Sequence, residues 1–195
     1  MDSLTDFSHS LRFIVTATRY PFQLGAVWPS SHGLATAMAD QIDPLIPGPI
    51  IELGSGTGAI TKALLEHGID QTRLILIESH REFFHNLSLQ YEKAHCYCDD
   101  AYELDALARK NSFPQAAAII SGLPLRTESK SRRRDLILAA LRLLKPGAPF
   151  IQFSYGIESP INGLDINAEQ TAVKTIWKNI PPARIWVYRR QETSC

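Results

Sequence analysis

The chain has 195 residues, 45% of them hydrophobic, which is enough to bury one α/β core. Twenty basic and twenty acidic residues give a formal net charge of zero, which argues against a nucleic-acid partner because such proteins are usually basic. No apolar run approaches the roughly 18 residues that span a bilayer, the first residues lack the basic start of a secretory signal, and three cysteines are too few for a disulfide framework. We therefore expect residues 1–195 to form a single domain of a cytoplasmic protein.

The first element is predicted to be a helix from Leu4 to Thr18, where apolar residues recur at helical spacing before Arg19-Tyr20-Pro21 ends it. We assign residues 1–22 to this N-terminal amphipathic segment and residues 23–195 to the core. The segment is expected to cover a ligand pocket as a lid, to bind a membrane surface by its apolar face, or to do both.

The remaining elements alternate between helical and extended patterns. The predicted helices are 33–42 (with Ser30 or Ser31 as N-cap), 59–66, about 80–91, about 102–110 and 131–144. The predicted strands start at residue 50 and continue with 73–77, 94–98, 116–120, 149–155, about 170–178 and about 183–188. This order predicts a doubly wound, mostly parallel sheet of seven strands with helices on both faces and a C-terminal antiparallel hairpin. Ligands of such sheets bind outside the carboxyl ends of the strands.

A glycine-rich turn follows the first predicted strand. The strand ends in Glu52, and Gly54-Ser55-Gly56-Thr57-Gly58 leads directly into the next helix. A dinucleotide fingerprint places its third glycine three residues after the second, whereas here the interval is two, and no Gly-Lys-Ser/Thr of a P-loop follows. Glu52 would repel a pyrophosphate and attract a cationic amino group. The turn therefore predicts a nucleotide-like cofactor that has such a group.

Further carboxylates follow the next two predicted strands. Glu78 ends the second strand, where it is placed to accept hydrogen bonds from two ribose hydroxyls. The pair Asp99-Asp100 follows the third strand, before Ala101. Each carboxylate alone could be a helix cap or a solvated loop residue, but three acidic turns in this order favour a nucleoside site.

The glycine turn resembles motif I of the Rossmann-like class I S-adenosylmethionine (SAM) methyltransferases, E/D-x-G-x-G-x-G. The resemblance implies that fold, SAM as cofactor and S-adenosylhomocysteine (SAH) as product. It also implies that Asp100, or else Asp99, accepts a hydrogen bond from the exocyclic amino group of adenine. The expected cofactor-binding residues are Ser31, Glu52, Gly54, Ser55, Gly56, Gly58, Glu78, Ser79, Asp100, Ala101 and Ser121.

A narrower resemblance rests on five segments that occur in a fixed order. They are Gly25–Ser31, Glu52–Gly58, Ser121–Leu125, Gln152–Gly156 and Trp177–Arg190. Together they are similar to the bacterial phospholipid N-methyltransferases of the Rhodobacter/Rhizobium type. That family implies methyl transfer to the head-group amine of phosphatidylethanolamine and its mono- and dimethyl derivatives, ending at phosphatidylcholine. It also implies a monomer in peripheral contact with the cytoplasmic membrane surface.

Candidate acceptor residues follow from the chemistry of such a reaction. Methyl transfer from a sulfonium mostly requires alignment of donor and amine, and aromatic faces attract the cation that forms. Tyr155 and Tyr20 are the candidates for lining the amine, although both could simply pack. The candidates for binding a lipid phosphate are Arg126, Arg184 and Arg189. The basic run of Lys130 and Arg132–Arg134 is either a solvated helix face or a membrane-contacting patch.

Two alternative functions remain at this point. An adenine-N6 or dimethyladenosine RNA methyltransferase would have an aromatic residue after Pro124 to stack on a base, but this chain has Leu125. A non-catalytic SAM-binding protein would bind the cofactor without methylating an acceptor. The histidines have no metal-ligand spacing, and we expect no metal.

Overall fold

The computed structural model describes residues 28–155, 158–177 and 182–191, with side chains from residue 32 onward. The strands are β1 (Ile50–Leu53), β2 (Leu74–Ile77), β3 (His95–Tyr97), β4 (Ala118–Ser121), β5 (Phe150–Tyr155), β6 (Ala168–Ile176) and β7 (Ala183–Arg190). The α-helices are α1 (Trp28–Ala39), α2 (Ala59–Glu66), α3 (Arg81–Gln90), α4 (Leu104–Lys110) and α5 (Lys130–Leu143). Sequence and structure thus agree on the alternation of elements.

The seven strands form one sheet in the order β3-β2-β1-β4-β5-β7-β6. Strands β1 to β5 are parallel, whereas β7 runs antiparallel to both β5 and β6. The predicted mostly parallel sheet with a C-terminal antiparallel hairpin is confirmed. Because the strand order reverses at β1, the crevice between β1 and β4 is the topological switch point, where ligands of doubly wound sheets bind.

Helices cover both faces of the sheet, as predicted. Side chains alternate along each strand, so Ile51 and Leu53 of β1 join a core under α4 and α5, whereas Ile50 joins a second core under α1, α2 and α3. All four residues of β1, β2 and β4 are buried, which is typical of parallel strands that are covered on two faces. Within the described ranges, no helix is long and apolar enough to cross a membrane.

The start of α1 differs from the prediction. The helix begins at Trp28 rather than Gly33, so Ser30 and Ser31 lie inside it and the N-cap assigned to them is wrong. Proline is tolerated in the first turn of a helix, where its missing N–H would have no intrahelical partner, and Pro29 therefore does not delay the start. The predicted helix from Leu4 to Thr18 lies outside the described residues, as do residues 1–22 as a whole.

Candidate active site

The glycine turn lies at the carboxyl end of β1, at the switch point. Its three glycines have positive φ angles of 71° at Gly54, 53° at Gly56 and 79° at Gly58. A Cβ atom on Gly54 would lie 2.6 Å from the side chain of Leu123, whereas one on Gly56 would meet nothing within 4 Å. Gly54 therefore allows the turn to pack against the loop after β4, and Gly56 leaves an open backbone surface for a ligand.

The side chain of Glu78 is hydrogen-bonded directly to this turn. Its carboxylate lies just after β2, where Oε2 accepts from the Gly56 amide at 2.8 Å and Oε1 accepts from the His80 amide at 2.7 Å. Each carboxylate oxygen can accept a second hydrogen bond, so both remain able to bind hydroxyl groups. Ser79 is exposed beside it. The two backbone bonds fix the carboxylate beside the glycine turn, at the carboxyl end of β2.

Glu52 is completely buried beneath the turn. Its Oε2 accepts from the Thr61 hydroxyl at 2.7 Å, but its Oε1 has no hydrogen-bond partner. Burial raises the pKa of Glu52 to about 8; hydrogen bonds from Thr61 oppose this rise and the charge of Glu78 adds to it. A cation that approached the turn would stabilise the ionised form of this carboxyl group. Ser55, within the turn, is buried as well.

The turn after β3 completes this edge of the sheet. The Glu78 amide donates to the Tyr97 carbonyl at 3.0 Å, which ties the end of β2 to the end of β3. Asp99 accepts from the Asp100 amide at 2.9 Å, and Asp100 accepts from the Tyr102 amide at 3.0 Å, so Asp100 caps the short 3-10 turn that precedes α4. The buried Ala101 begins that turn. The acidic turns predicted from the sequence thus lie on neighbouring strand ends.

The loop after β4 packs against the glycine turn. The Gly122 amide donates to the Leu53 carbonyl at 2.8 Å, and a Cβ on Gly122 would lie 2.8 Å from the Gly54 carbonyl oxygen. Ser121 is buried at the end of β4, and Leu125 points into the core under α4 and α5. Leu125 is therefore not a surface for stacking a base, which disfavours the RNA methyltransferase alternative.

Sequence reasoning missed the residue that holds this loop. Gln152 is buried in β5, and its amide nitrogen donates to the Leu123 carbonyl at 2.9 Å and to the Phe153 carbonyl at 2.8 Å. A single amide side chain within an apolar strand was the available signal. A buried polar group needs partners, and the amide nitrogen finds them in a loop carbonyl and a strand carbonyl, whereas the amide oxygen has no hydrogen-bond partner among the described residues.

Of the two candidate tyrosines, only Tyr155 lies within the described residues. It ends β5, is 49% exposed and meets the Phe153 ring at a centroid distance of 5.4 Å, on the α1 face of the sheet. Desolvation raises the pKa of its hydroxyl, which makes it a poor base at neutral pH. Tyr20 lies outside the described residues, and Ser31 is described only as part of the α1 backbone.

The three candidate arginines lie at different places. Arg126 is near the carboxyl edge, where it pairs with Glu158 at 2.9 Å. Arg184 is opposite Ser154 near the same edge, and its Nε donates to the Thr175 hydroxyl at 3.1 Å. Arg189 instead donates to the Gly147 carbonyl at 3.1 Å, before the amino end of β5. Because β7 runs antiparallel to β5, Arg189 lies at the edge opposite the glycine turn, and its assignment to a substrate phosphate is corrected.

The architecture is that of the Rossmann-like class I methyltransferases. The N-methyltransferase NodS from Bradyrhizobium japonicum WM9, in complex with SAH, matches with a TM-score of 0.69 at 16% identity, over 88% of this chain and 92% of NodS. The magnesium protoporphyrin IX methyltransferase of Synechocystis PCC 6803, with bound SAM, matches with a TM-score of 0.66 at 12% identity, over 87% of this chain and 86% of that one. At these identities the likeness establishes the fold.

One curated relative adds sequence similarity. An ornithine lipid N-methyltransferase from Singulisphaera acidiphila is 26% identical over 134 residues, which is 67% of this chain and 70% of the relative. No family model matches the sequence. The relative supports methyltransferase activity and is itself named for a lipid substrate.

Proposed function

We propose that this protein is a SAM-dependent N-methyltransferase whose acceptor is the amine of a membrane-lipid head group. The observation that carries the proposal is the hydrogen bond from the Gly56 amide to Glu78. It places a carboxylate that can accept hydrogen bonds from ribose hydroxyls beside an open glycine turn at the switch point. Phosphatidylethanolamine is the acceptor that the sequence resemblance favours. The relative from Singulisphaera supports an amine lipid more generally.

The cofactor half of the proposal assigns one role to each acidic turn. Glu78 accepts the ribose hydroxyls and Asp100 accepts the exocyclic amino group of adenine. Glu52, whose pKa is about 8, is protonated at neutral pH without a ligand and ionises when the cationic end of SAM binds beside it. SAM, when bound, supplies a methyl group on a cationic sulfur. The chain itself supplies alignment, because the loop after β4 is fixed against the turn through Gly122 and Gln152.

The acceptor half rests on the side chains at the ends of β5 and β7. The exposed Tyr155 ring offers an aromatic face for the amine, which becomes a permanent cation once three methyl groups have been added. Arg126 and Arg184 lie near the same edge and supply positive charge for an anionic group of the lipid. In this proposal the amine loses its proton to water before transfer, since Tyr155 is a poor base.

The test is incubation with methyl-labelled SAM and vesicles of phosphatidylcholine that contain phosphatidylethanolamine, an ornithine lipid or neither, followed by lipid separation. Label in mono-, di- or trimethylated lipid establishes the reaction, its acceptor and its last product. SAH binding without labelled lipid would contradict a lipid acceptor and favour the non-catalytic alternative or a soluble acceptor. Absence of SAH binding would overturn the cofactor assignment itself.

A further inference from the structure

Arg132 connects the two halves of the site. It lies in the first turn of α5, after the acceptor-side loop, yet its guanidinium reaches the turn after β3. One terminal nitrogen donates to Asp100 at 2.9 Å and the other donates to Glu128 at 3.1 Å. The guanidinium carbon also lies 4.1 Å from the centroid of the Tyr102 ring. Two carboxylates and one aromatic face therefore fix both the position and the plane of this side chain.

The neighbouring arginines of α5 make different contacts. Arg133 donates to the Pro160 carbonyl at 2.8 Å, and Arg134 donates to the Asp165 carbonyl at 3.4 Å. Both bonds go to backbone on the segment after β5, away from the turn after β3. Within the described part of the basic run, Arg132 is thus the arginine whose hydrogen bonds go to a carboxylate of the predicted cofactor site. The run is not merely a solvated helix face.

Asp100 retains the capacity to bind a ligand. Its side chain is 46% exposed, and each oxygen accepts one bond, from the Tyr102 amide and from Arg132. Each oxygen can accept one more. The ends of β2 and β3 are tied by the bond from Glu78 to Tyr97, and neighbouring strands lie about 4.8 Å apart. A nucleoside whose ribose is held by Glu78 can therefore direct its base toward Asp100.

We infer that Arg132 is a positioning residue that orients the Asp100 carboxylate toward the exocyclic amino group of the cofactor's adenine. The inference rests on the proposed use of SAM. Without Arg132, the Asp100 side chain would keep only its capping bond to Tyr102 and would be free to rotate into solvent. The expected consequence is a loss of preference for a 6-amino purine rather than a general loss of binding.

The experiment compares SAH with its 6-deamino analogue, which has hydrogen in place of the exocyclic amino group, by titration calorimetry on the full chain. The native protein should bind SAH about tenfold more tightly than the analogue, since one hydrogen bond to a charged group is lost. Arg132→Met should weaken SAH binding by about five- to tenfold and leave the affinity for the analogue within about twofold. The ratio of the two affinities should therefore fall toward one.

Arg134→Met is the matched control, because it removes the same charge from the same helix without touching Asp100. It should leave both affinities unchanged. Arg132→Lys should restore part of the ratio, since lysine keeps a charge that can bond Asp100. If Arg132→Met does not fold, Glu128→Gln replaces it, because the loss of the second ion pair loosens Arg132.

Two results would overturn the inference. One is an unchanged ratio of the two affinities in Arg132→Met, whether or not both affinities fall, and the other is a native ratio near one. A ratio that collapses in Asp99→Asn but not in Arg132→Met would assign the base contact to Asp99 instead. If the native protein bound neither ligand, the proposed function itself would fail, which is a distinguishable outcome.

Discussion

The proposed site has a cofactor edge, formed by the turns after β1, β2 and β3, and an acceptor edge, formed by the loops after β4 and β5, and the two are built in different ways. At the cofactor edge, the turns after β2 and β3 are held by carboxylates that accept hydrogen bonds from backbone amides two residues further along the chain, Glu78 from His80 and Asp100 from Tyr102. At the acceptor edge, long-range side-chain contacts fix the loops, such as Gln152 to Leu123 and Arg126 to Glu158. A turn held by contacts between residues this close in the chain can be recognised in a short stretch of sequence. A loop held by side chains from distant strands cannot.

The strongest test of the cofactor edge is Glu78→Gln. The amide keeps one acceptor oxygen but loses the charge and the second acceptor that hold Gly56, His80 and the ribose. We expect SAH affinity to fall by more than about 100-fold, measured by calorimetry. Glu82→Gln, an exposed substitution in the first turn of α3, is the control and should leave the affinity unchanged. Retained affinity in Glu78→Gln would contradict the cofactor assignment.

Two glycines of the turn are expected to have different roles, Gly54 in packing against Leu123 and Gly56 in leaving room for a ligand. Gly54→Ala would add left-handed backbone strain and place a methyl group against Leu123, so we expect a loss of about 2–5 kcal/mol in the free energy of unfolding, measured with urea. Gly56→Ala meets no neighbour, and its strain should cost only about 1–2 kcal/mol while SAH affinity falls. Leu123→Ala should recover part of the stability lost in Gly54→Ala but none of that lost in Gly56→Ala. Equal behaviour of the two alanine variants would contradict this distinction.

The acceptor edge is tested at Tyr155. Tyr155→Ala removes an aromatic face worth about 0.5–2 kcal/mol to a cation, so kcat/KM for the lipid should fall by about 2- to 30-fold while SAH affinity stays unchanged. Tyr155→Phe keeps the ring and should retain most of the activity. Loss of activity in the phenylalanine variant would instead assign the role to the hydroxyl group.

The last prediction concerns Glu52 and the pH dependence of stability. Its pKa is about 8 in the folded protein, against an ordinary value of 4.5. Between these values the folded chain keeps a proton that the unfolded chain has released, so stability falls as pH rises, by up to about 1.4 kcal/mol per pH unit. Glu52→Gln should remove this slope in urea unfolding between pH 5 and pH 8. Parallel pH curves for the two proteins would show that Glu52 does not titrate in this range.

Much of the fold was predictable because its signals are local. The signals are strand and helix periodicity, Gly54-x-Gly56-x-Gly58, Glu52 near the end of the first strand and Glu78 just after the second. All lie within short stretches of sequence, and the predicted sheet is confirmed. The start of α1 was misplaced because a proline can either precede a helix or occupy its first turn. The sequence therefore predicts the fold class and the glycine turn correctly.

Only the tertiary structure decided which distant side chains share the site. Arg189 lies at the edge of the sheet opposite the glycine turn because β7 runs antiparallel to β5. The amino end of β7, rather than its carboxyl end, is therefore on the side of the glycine turn. Arg132 reaches Asp100 because α5 packs beside the turn after β3, across 32 positions of sequence. Hydrophobic periodicity and turn preferences depend on residues a few positions apart, so the sequence alone determines them. Contacts between distant residues, such as Arg132 with Asp100, depend on strand direction and helix packing, which exist only once the sheet has formed.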